Sequence, residues 1–274
     1  YVKPEDVIPV PSLNPKFLGL LVSGLTATIG LDELGRIQKG DKVLITASAG
    51  GTGHIGVQWA KRKGAYVIGL TSSPEKAKLL TELGTDRVIT YKTENLDEVL
   101  TKEFPHGVDV IWETIGGQVY ETLFNHLAPK GRLLIIGSIS GQLTWPTIDN
   151  LNMKLLSGSR TLSGFNISDH KALFGKHVQQ LIGDVVNNKL RVVLDLGQNT
   201  SEGEFVGIES VVSGVEVQYM MCKFASQAMN LTVSAVFIGV YEDRLIDGQP
   251  VFVLPINGTH VCDRLQGIVV CVGQ

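Results

Sequence analysis

From residue 41 to about 190, short β-branched apolar runs alternate with longer stretches whose apolar positions recur at helical spacing. Short runs of this kind read as buried strands and the longer ones as amphipathic helices. The rhythm therefore predicts α/β architecture, with βαβ units stacked on a doubly wound parallel sheet. The strand candidates are Val43 to Ala47, Tyr66 to Leu70, Arg87 to Tyr91, Val108 to Trp112, Leu133 to Gly137 and Thr161 to Phe165. Helix punctuation lies between them. Ser73 stands as an N-cap with Pro74 at the first helical position, and Gly84 follows Leu79, Leu80 and Leu83 as a stop. Ser168 is a cap candidate for a longer helix carrying Leu173, Val178, Leu181, Ile182 and Val185, which ends near Asn187 and Asn188.

The flanks follow different patterns. Residues 1–40 are proline-rich as far as Pro15, then helical from about Lys16 to Leu34, closed by Gly35 and Gly40, and read as an interdomain lead-in segment. Residues 41–190 form the expected central domain, and 191–216 a return segment. From about 217 to 274 the helix and strand rhythm stops in a divergent C-terminal tail. Its strand-like runs, Leu231 to Tyr241, Pro250 to Ile256 and Gly267 to Val272, show no obvious partners, so low order is expected there.

Composition narrows the function classes. A net charge of −3 from 24 basic and 27 acidic side chains, spread along the chain, gives no basic stripe for nucleic acid or anionic lipid. No apolar run approaches the ~20 residues that span a bilayer, which leaves a small molecule as the expected partner and a soluble, cytoplasmic setting. The three cysteines, Cys222, Cys262 and Cys271, fit neither a disulfide framework nor a zinc motif. The scattered histidines add no ligand cluster, so no metal is expected.

Gly51, Gly53 and Gly56 form G-x-G-x-x-G between a buried strand and a helix, directly after Gly50. In that context the glycines let backbone N–H groups and the positive helix end approach a pyrophosphate, while Gly56 permits tight packing of helix on sheet. Six strands and this turn together predict a Rossmann dinucleotide-binding domain. An NAD site places a carboxylate about 20 residues further on, but the second strand here runs into Leu70, Thr71, Ser72 and Ser73. Hydroxyls, with Lys76 one turn into the next helix, suit a 2′-phosphate and favour NADP(H). Lys76 also fits as a solvated surface lysine. Glu75 is read as complementing the helix dipole.

The stretches VLITASAGGTGHIGVQWAKRKGAYVIGLTSSPEKAKLLTELGTDRVITYKTE and GVDVIWETIGGQVYETLFNHLAPKGRLLIIGSISG resemble the medium-chain dehydrogenases/reductases, in their prostaglandin reductase and quinone oxidoreductase branch. The likeness runs from about residue 5 to 215. It implies that Thr52, Ser72, Lys76 and Tyr91 contact the NADP phosphates and ribose, that Thr114 and Ile136 line the cofactor, and that Phe165, Asn166 and Ile167 run beside the nicotinamide. Asn166 stands where a more apolar residue is expected, and Tyr91, Phe165 and Ile136 fit equally as core residues. The implied activity is zinc-independent, NADPH-dependent reduction of the carbon–carbon double bond of α,β-unsaturated ketones, as in a 15-oxoprostaglandin 13-reductase. Quinone reduction and a non-catalytic NADP-binding fragment are the alternatives. No catalytic acid or base is assigned.

Family members begin with a separate N-terminal domain. The chain opens on Tyr1 without it, so apolar surface around Leu18 to Ile29 is expected to be exposed. A homodimer is compatible with this reading. The resemblance also admits a peroxisomal setting, although a C-terminal S-K-L is lacking.

Overall fold

The computed structural model describes residues 7–12, 14–17, 19–140, 147–193, 245–246 and 249–253. The chain divides into two compact units, Tyr1–Phe17 with Gln218–Gln274, and Leu18–Val217.

The larger unit opens with α1, a continuous helix of three consecutive segments, Leu20–Gly24, Leu25–Ile29 and Gly30–Leu34. Then follow β2 (Lys42–Ile45), α2 (Gly51–Arg62), β3 (Tyr66–Thr71), α3 (Pro74–Glu82), β4 (Arg87–Thr90), α4 (Leu96–Glu103), β5 (Val108–Glu113) and α5 (Gly117–Asn125). The unit continues with β6 (Leu127–Ile135), α6 (Leu151–Gly158), β7 (Thr161–Gly164) and α7 (Phe174–Val186). The six strands lie in the order β4-β3-β2-β5-β6-β7, all parallel. The strand order reverses between β2 and β5, and in open α/β sheets ligands bind outside the carboxyl ends of the strands at such a point.

Both faces of the sheet are covered, which explains why its strands read as continuous apolar runs. Leu44, Ile68, Ile111 and Leu133 pack with Leu100, Tyr120, Leu123 and Phe124 on one side. Their neighbours along the same strands, Val43, Ile45, Val67, Val110 and Leu134, pack with Leu31, Val57, Trp59 and Ala60 on the other. The period-two alternation therefore sorts apolar residues between two buried faces.

Several expectations are corrected here. Leu20, Leu21, Leu25 and Ile29 are at most 2% exposed, because α1 packs against α2 and α7. The apolar surface expected around Leu18 to Ile29 is thus covered within the unit itself. Ser168 is not the cap of the long helix. Its N–H donates to Asn166 Oδ1 at 3.0 Å, within a tight helical stretch, Ile167–Leu173, and α7 begins only after that. His170 sits off helical dihedrals (φ −114, ψ 21), so the chain kinks before α7.

In the smaller unit β1 (Val7–Pro9) pairs antiparallel with β9 (Gln249–Val253), which also pairs with β8 (Leu245–Ile246). The run expected without partners at Pro250 to Ile256 therefore has two over its described part. The runs at Leu231 to Tyr241 and Gly267 to Val272, and the three cysteines, lie outside the described residues. Among the described residues no helix is long and apolar enough to cross a membrane.

Candidate functional site

The turn after β2 is built from backbone. Ala47 takes a left-handed φ of +44°, which swings the chain out of the sheet. Ser48 then fastens the turn to the neighbouring strand, its N–H and Oγ both donating to the Leu70 carbonyl at 3.1 and 3.0 Å. Gly50 is the extended N-cap of α2 and brings no side chain of its own to cap it. Gly51 and Gly53 are buried and Thr52 half-buried at its first turn.

A Cβ built on Gly53 would lie 2.4 Å from the Ala47 carbonyl oxygen and 2.6 Å from Ser48 Cα. Gly53 therefore lets α2 sit directly on its own turn. The expected division of labour is corrected accordingly, because a Cβ on Gly56, assigned to close packing, would meet Ile45 Cδ1 at 3.4 Å, Leu31 Cδ1 at 3.6 Å and Ala27 Cβ at 3.9 Å. These are ordinary van der Waals contacts.

Next to this turn lie the ends of β3 and β4. Tyr91 N–H donates to the Thr71 carbonyl at 3.1 Å, placing Tyr91 beside Ser72. Ser73 is the N-cap of α3, accepting from Lys76 N–H at 3.4 Å, with Pro74 at the first turn. Lys76 is exposed, with no ion pair among the described residues. The Glu75 carboxyl is held below its usual range by its own backbone N–H and the Ser73 hydroxyl, in keeping with its place at a helix start. The structure thus brings Ser72, Lys76 and Tyr91 to one edge, and Tyr91 also packs against the core.

Across the strand-order reversal, Thr46 Oγ1 lies 2.9 Å from Thr114 Oγ1 and accepts the Thr114 N–H at 2.8 Å. The ladder between β5 and β6 runs on past the strands, with Ile136 N–H donating to Glu113 O at 2.8 Å and Ile139 N–H to Thr114 O at 2.8 Å. Phe165 extends the next ladder by donating to Ile135 O at 3.0 Å. Thr114, Ile136 and Phe165 therefore share the carboxyl edge of β5, β6 and β7, each half-buried. Phe165 stacks on His170 with ring centroids 5.0 Å apart, while Ile136 packs partly into the core. Asn166 is exposed and its amide caps the turn that holds Ile167, which accounts for a polar residue at that position.

Sequence reasoning missed Thr46, Ser48 and Glu113. Glu113 is fully buried, and its carboxylate accepts the N–H of Ile115 at 2.8 Å and of Gly116 at 3.0 and 3.1 Å. Burial pushes its pKa up to about 7 against the opposing pull of those N–H groups. The available signal was a carboxylate ending an apolar run immediately before T-I-G-G.

Comparison with known proteins bears on this edge. A family model described as zinc-binding dehydrogenase matches residues 51–182. The chain is similar to prostaglandin reductase-3 of Bos taurus, at 43% identity over 219 residues, which is 78% of this chain and 58% of that protein. It is also similar to a probable quinone oxidoreductase of Leishmania amazonensis, at 39% identity, covering 78% of this chain and 64% of the relative. The chain thus spans somewhat over half the length of these relatives. Among solved structures, CurA of Vibrio vulnificus in complex with NADPH aligns with a TM-score of 0.60 and 28% identity, over 66% of this chain and 56% of that one. No group of three or more metal-ligating side chains occurs among the described residues.

Proposed function

We propose, from its similarity to the zinc-binding dehydrogenase family and to relatives among the medium-chain dehydrogenases/reductases, that the chain is a member of that family and binds NADP(H) along the carboxyl edge of its sheet. The observation that carries this reading is the turn between β2 and α2. Its helix starts from Gly50, which has no side chain of its own to cap with, lies at the strand-order reversal, and packs on the turn at Ala47 and Ser48 too closely for a Cβ at position 53. Such a start presents N–H groups and positive dipole to a pyrophosphate, so the residues present fit the cofactor.

Gly50, Gly51, Thr52, Gly53 and Gly56 form the pyrophosphate turn in this reading. Ser72, Lys76 and Tyr91 hold the adenosine 2′-phosphate and ribose, with hydroxyls donating and the lysine supplying charge. Thr114, Ile136, Phe165, Asn166 and Ile167 border the nicotinamide half. Bound NADPH supplies hydride to an electron-poor carbon. This chain's contribution is to fix the dinucleotide at the edge, with Thr46 and Thr114 bonded across the reversal as a rigid floor.

The substrate class is an α,β-unsaturated ketone, supported by the similarity to prostaglandin reductase-3. Quinone reduction is the second reading, favoured by the similarity to a probable quinone oxidoreductase. Calorimetric titration with NADPH and NADH tests the cofactor, and NADPH oxidation with an enone or a quinone tests the reaction. Preference for NADPH with enone-dependent oxidation is expected. Equal affinity for the two dinucleotides would overturn the cofactor assignment, and binding without turnover would leave the chain a cofactor-binding module.

A further inference from the structure

His54 lies on α2 just behind the glycine turn and is 2% exposed. Its Nδ1 is 2.9 Å from the Gly50 carbonyl oxygen, and its Nε2 lies 3.3 Å from the Val193 N–H nitrogen. A carbonyl only accepts and an N–H only donates, so the two contacts together select the neutral imidazole with its proton on Nδ1. One turn along, the Gln58 carboxamide engages the same segment. Its Oε1 accepts the Arg191 N–H at 2.8 Å, while Nε2 donates to the carbonyls of Arg191 and His54, each at 2.9 Å. Alternate residues 191 and 193 are therefore held by α2 side chains much as a neighbouring strand would hold them.

The other end of the clasp is the glycine turn. Gly50 O also accepts the His54 backbone N–H at 2.9 Å. The peptide bond to Gly51 is trans, so drawing that carbonyl toward α2 points the Gly51 N–H the opposite way, out of the helix start. Orientation of an N–H proposed to face the pyrophosphate is thus tied, through one imidazole, to the seating of residues 191–193.

We propose that His54 and Gln58 are positioning residues that join the glycine turn and residues 191–193 into one equilibrium, so that cofactor binding and fastening of this segment reinforce each other. The proposal rests on the NADP(H) reading above. Linkage makes the effect reciprocal, so NADPH must protect the segment as much as the segment favours NADPH. The imidazole must stay neutral to accept from Val193. Burial holds its pKa down, the Gly50 and Gly51 backbone oppose this, and the Arg191 charge, paired with Glu82 at 3.1 Å, disfavours a second proton. Below the ordinary histidine value of 6.5, falling pH therefore moves the clasp toward release.

The test uses the full chain, with amide exchange at Arg191 and Val193 and calorimetric NADPH affinity followed from about pH 8 down to about pH 4. NADPH is expected to slow exchange at both amides, and wild-type affinity to fall about 3- to 10-fold on acidification, as loss of one hydrogen bond implies. His54→Gln, which keeps an acceptor but cannot be protonated, should remove that pH dependence. Gln58→Ala should speed exchange at Arg191 and weaken NADPH about 3-fold at every pH. The proposal is overturned if bound NADPH leaves both amides unchanged, or if His54→Gln retains the wild-type pH slope. If the wild type binds no NADPH, the cofactor reading falls by itself. Val193 exchange then decides the clasp, which stands only if acid releases that amide in the wild type and not in His54→Gln.

Discussion

The turns after β2 and β5 flank the same reversal of strand order, and each starts a helix from a glycine, which has no side chain of its own to cap with. They differ in what meets their N–H groups. After β5 the chain provides its own acceptor, since the buried Glu113 carboxyl group takes the N–H groups of Ile115 and Gly116. After β2 the N-cap residue is Gly50, which has no side chain of its own to do the corresponding work. The junctions further along one wing are closed in a third way, with Ser73 capping α3 and Asn95 capping α4 through the N–H groups of Asp97 and Glu98. A residue that caps its own helix serves the fold. A glycine N-cap, which brings no side chain of its own, is suited to an anion from outside.

The sharpest way to break this contrast is Gly53→Val. Its Cβ would press on backbone at 2.4 Å, and backbone cannot give way as a flexible side chain can. A stability loss on the order of 3 kcal/mol is expected, together with loss of NADPH and NADH binding, read by denaturant unfolding and calorimetry. Gly56→Ala, whose new methyl meets side chains and no backbone, should stay within about 1 kcal/mol of wild-type stability. Equal behaviour of the two variants would show that α2 does not rest on its turn as described.

The second turn is tested through pH. Glu113 has a folded pKa near 7 against an ordinary 4.5, so the folded state holds its proton more tightly than the unfolded chain does. Stability linked to this group is full below about pH 4.5 and is lost as the pH rises through about 7. The loss totals about 3 kcal/mol. Glu113→Gln cannot ionise, so its stability should be flatter across that window. A wild-type curve that rises with pH there, with no change in the variant, would mean that the N–H groups outweigh burial and hold the carboxylate ionised.

Much of this was legible because it is written locally. Strand alternation, the Ser73 and Pro74 start and the Gly84 stop depend on residues a few positions apart, and the structure places Gly84 at φ +89 as the stop requires. The burial of α1 over Leu20–Ile29 was not legible in the same way, since a helical stretch with so few polar positions has no polar face to mark its orientation. Pairing of β1 with β9 joins nearly opposite ends of the chain and leaves no local trace. Within the site, the glycine motif announced the turn, yet the role of Gly53 depends on a carbonyl several residues earlier folding back over it. Glu113 looked like the end of a strand because its partners are backbone groups, which carry no residue signature.

On the first wing, Lys76→Ala should cost NADPH about 1.5 to 3 kcal/mol, the worth of one charge-assisted bond, with little change for NADH. Calorimetry with both dinucleotides reads this directly. Equal losses would remove Lys76 from the 2′-phosphate site and leave it an exposed surface lysine.

The smallest expected effect separates two adjacent serines. Ser73 accepts from Lys76 N–H at 3.4 Å, a long bond at an exposed helix start, so Ser73→Ala should cost only about 0.5 to 1 kcal/mol of stability. Its hydroxyl is engaged with the start of α3, so the preference for NADPH over NADH should survive. Ser72 is half-buried beside Tyr91 and caps no helix start among the described residues. Ser72→Ala should therefore leave the unfolding midpoint unchanged and narrow the NADPH preference, by about 1 kcal/mol for one neutral donor. Midpoints from denaturant unfolding and paired titrations resolve the two effects. If Ser73→Ala narrows the preference and Ser72→Ala does not, the 2′-phosphate lies against the capped start of α3, and the distinction between capped and open helix starts fails at this junction.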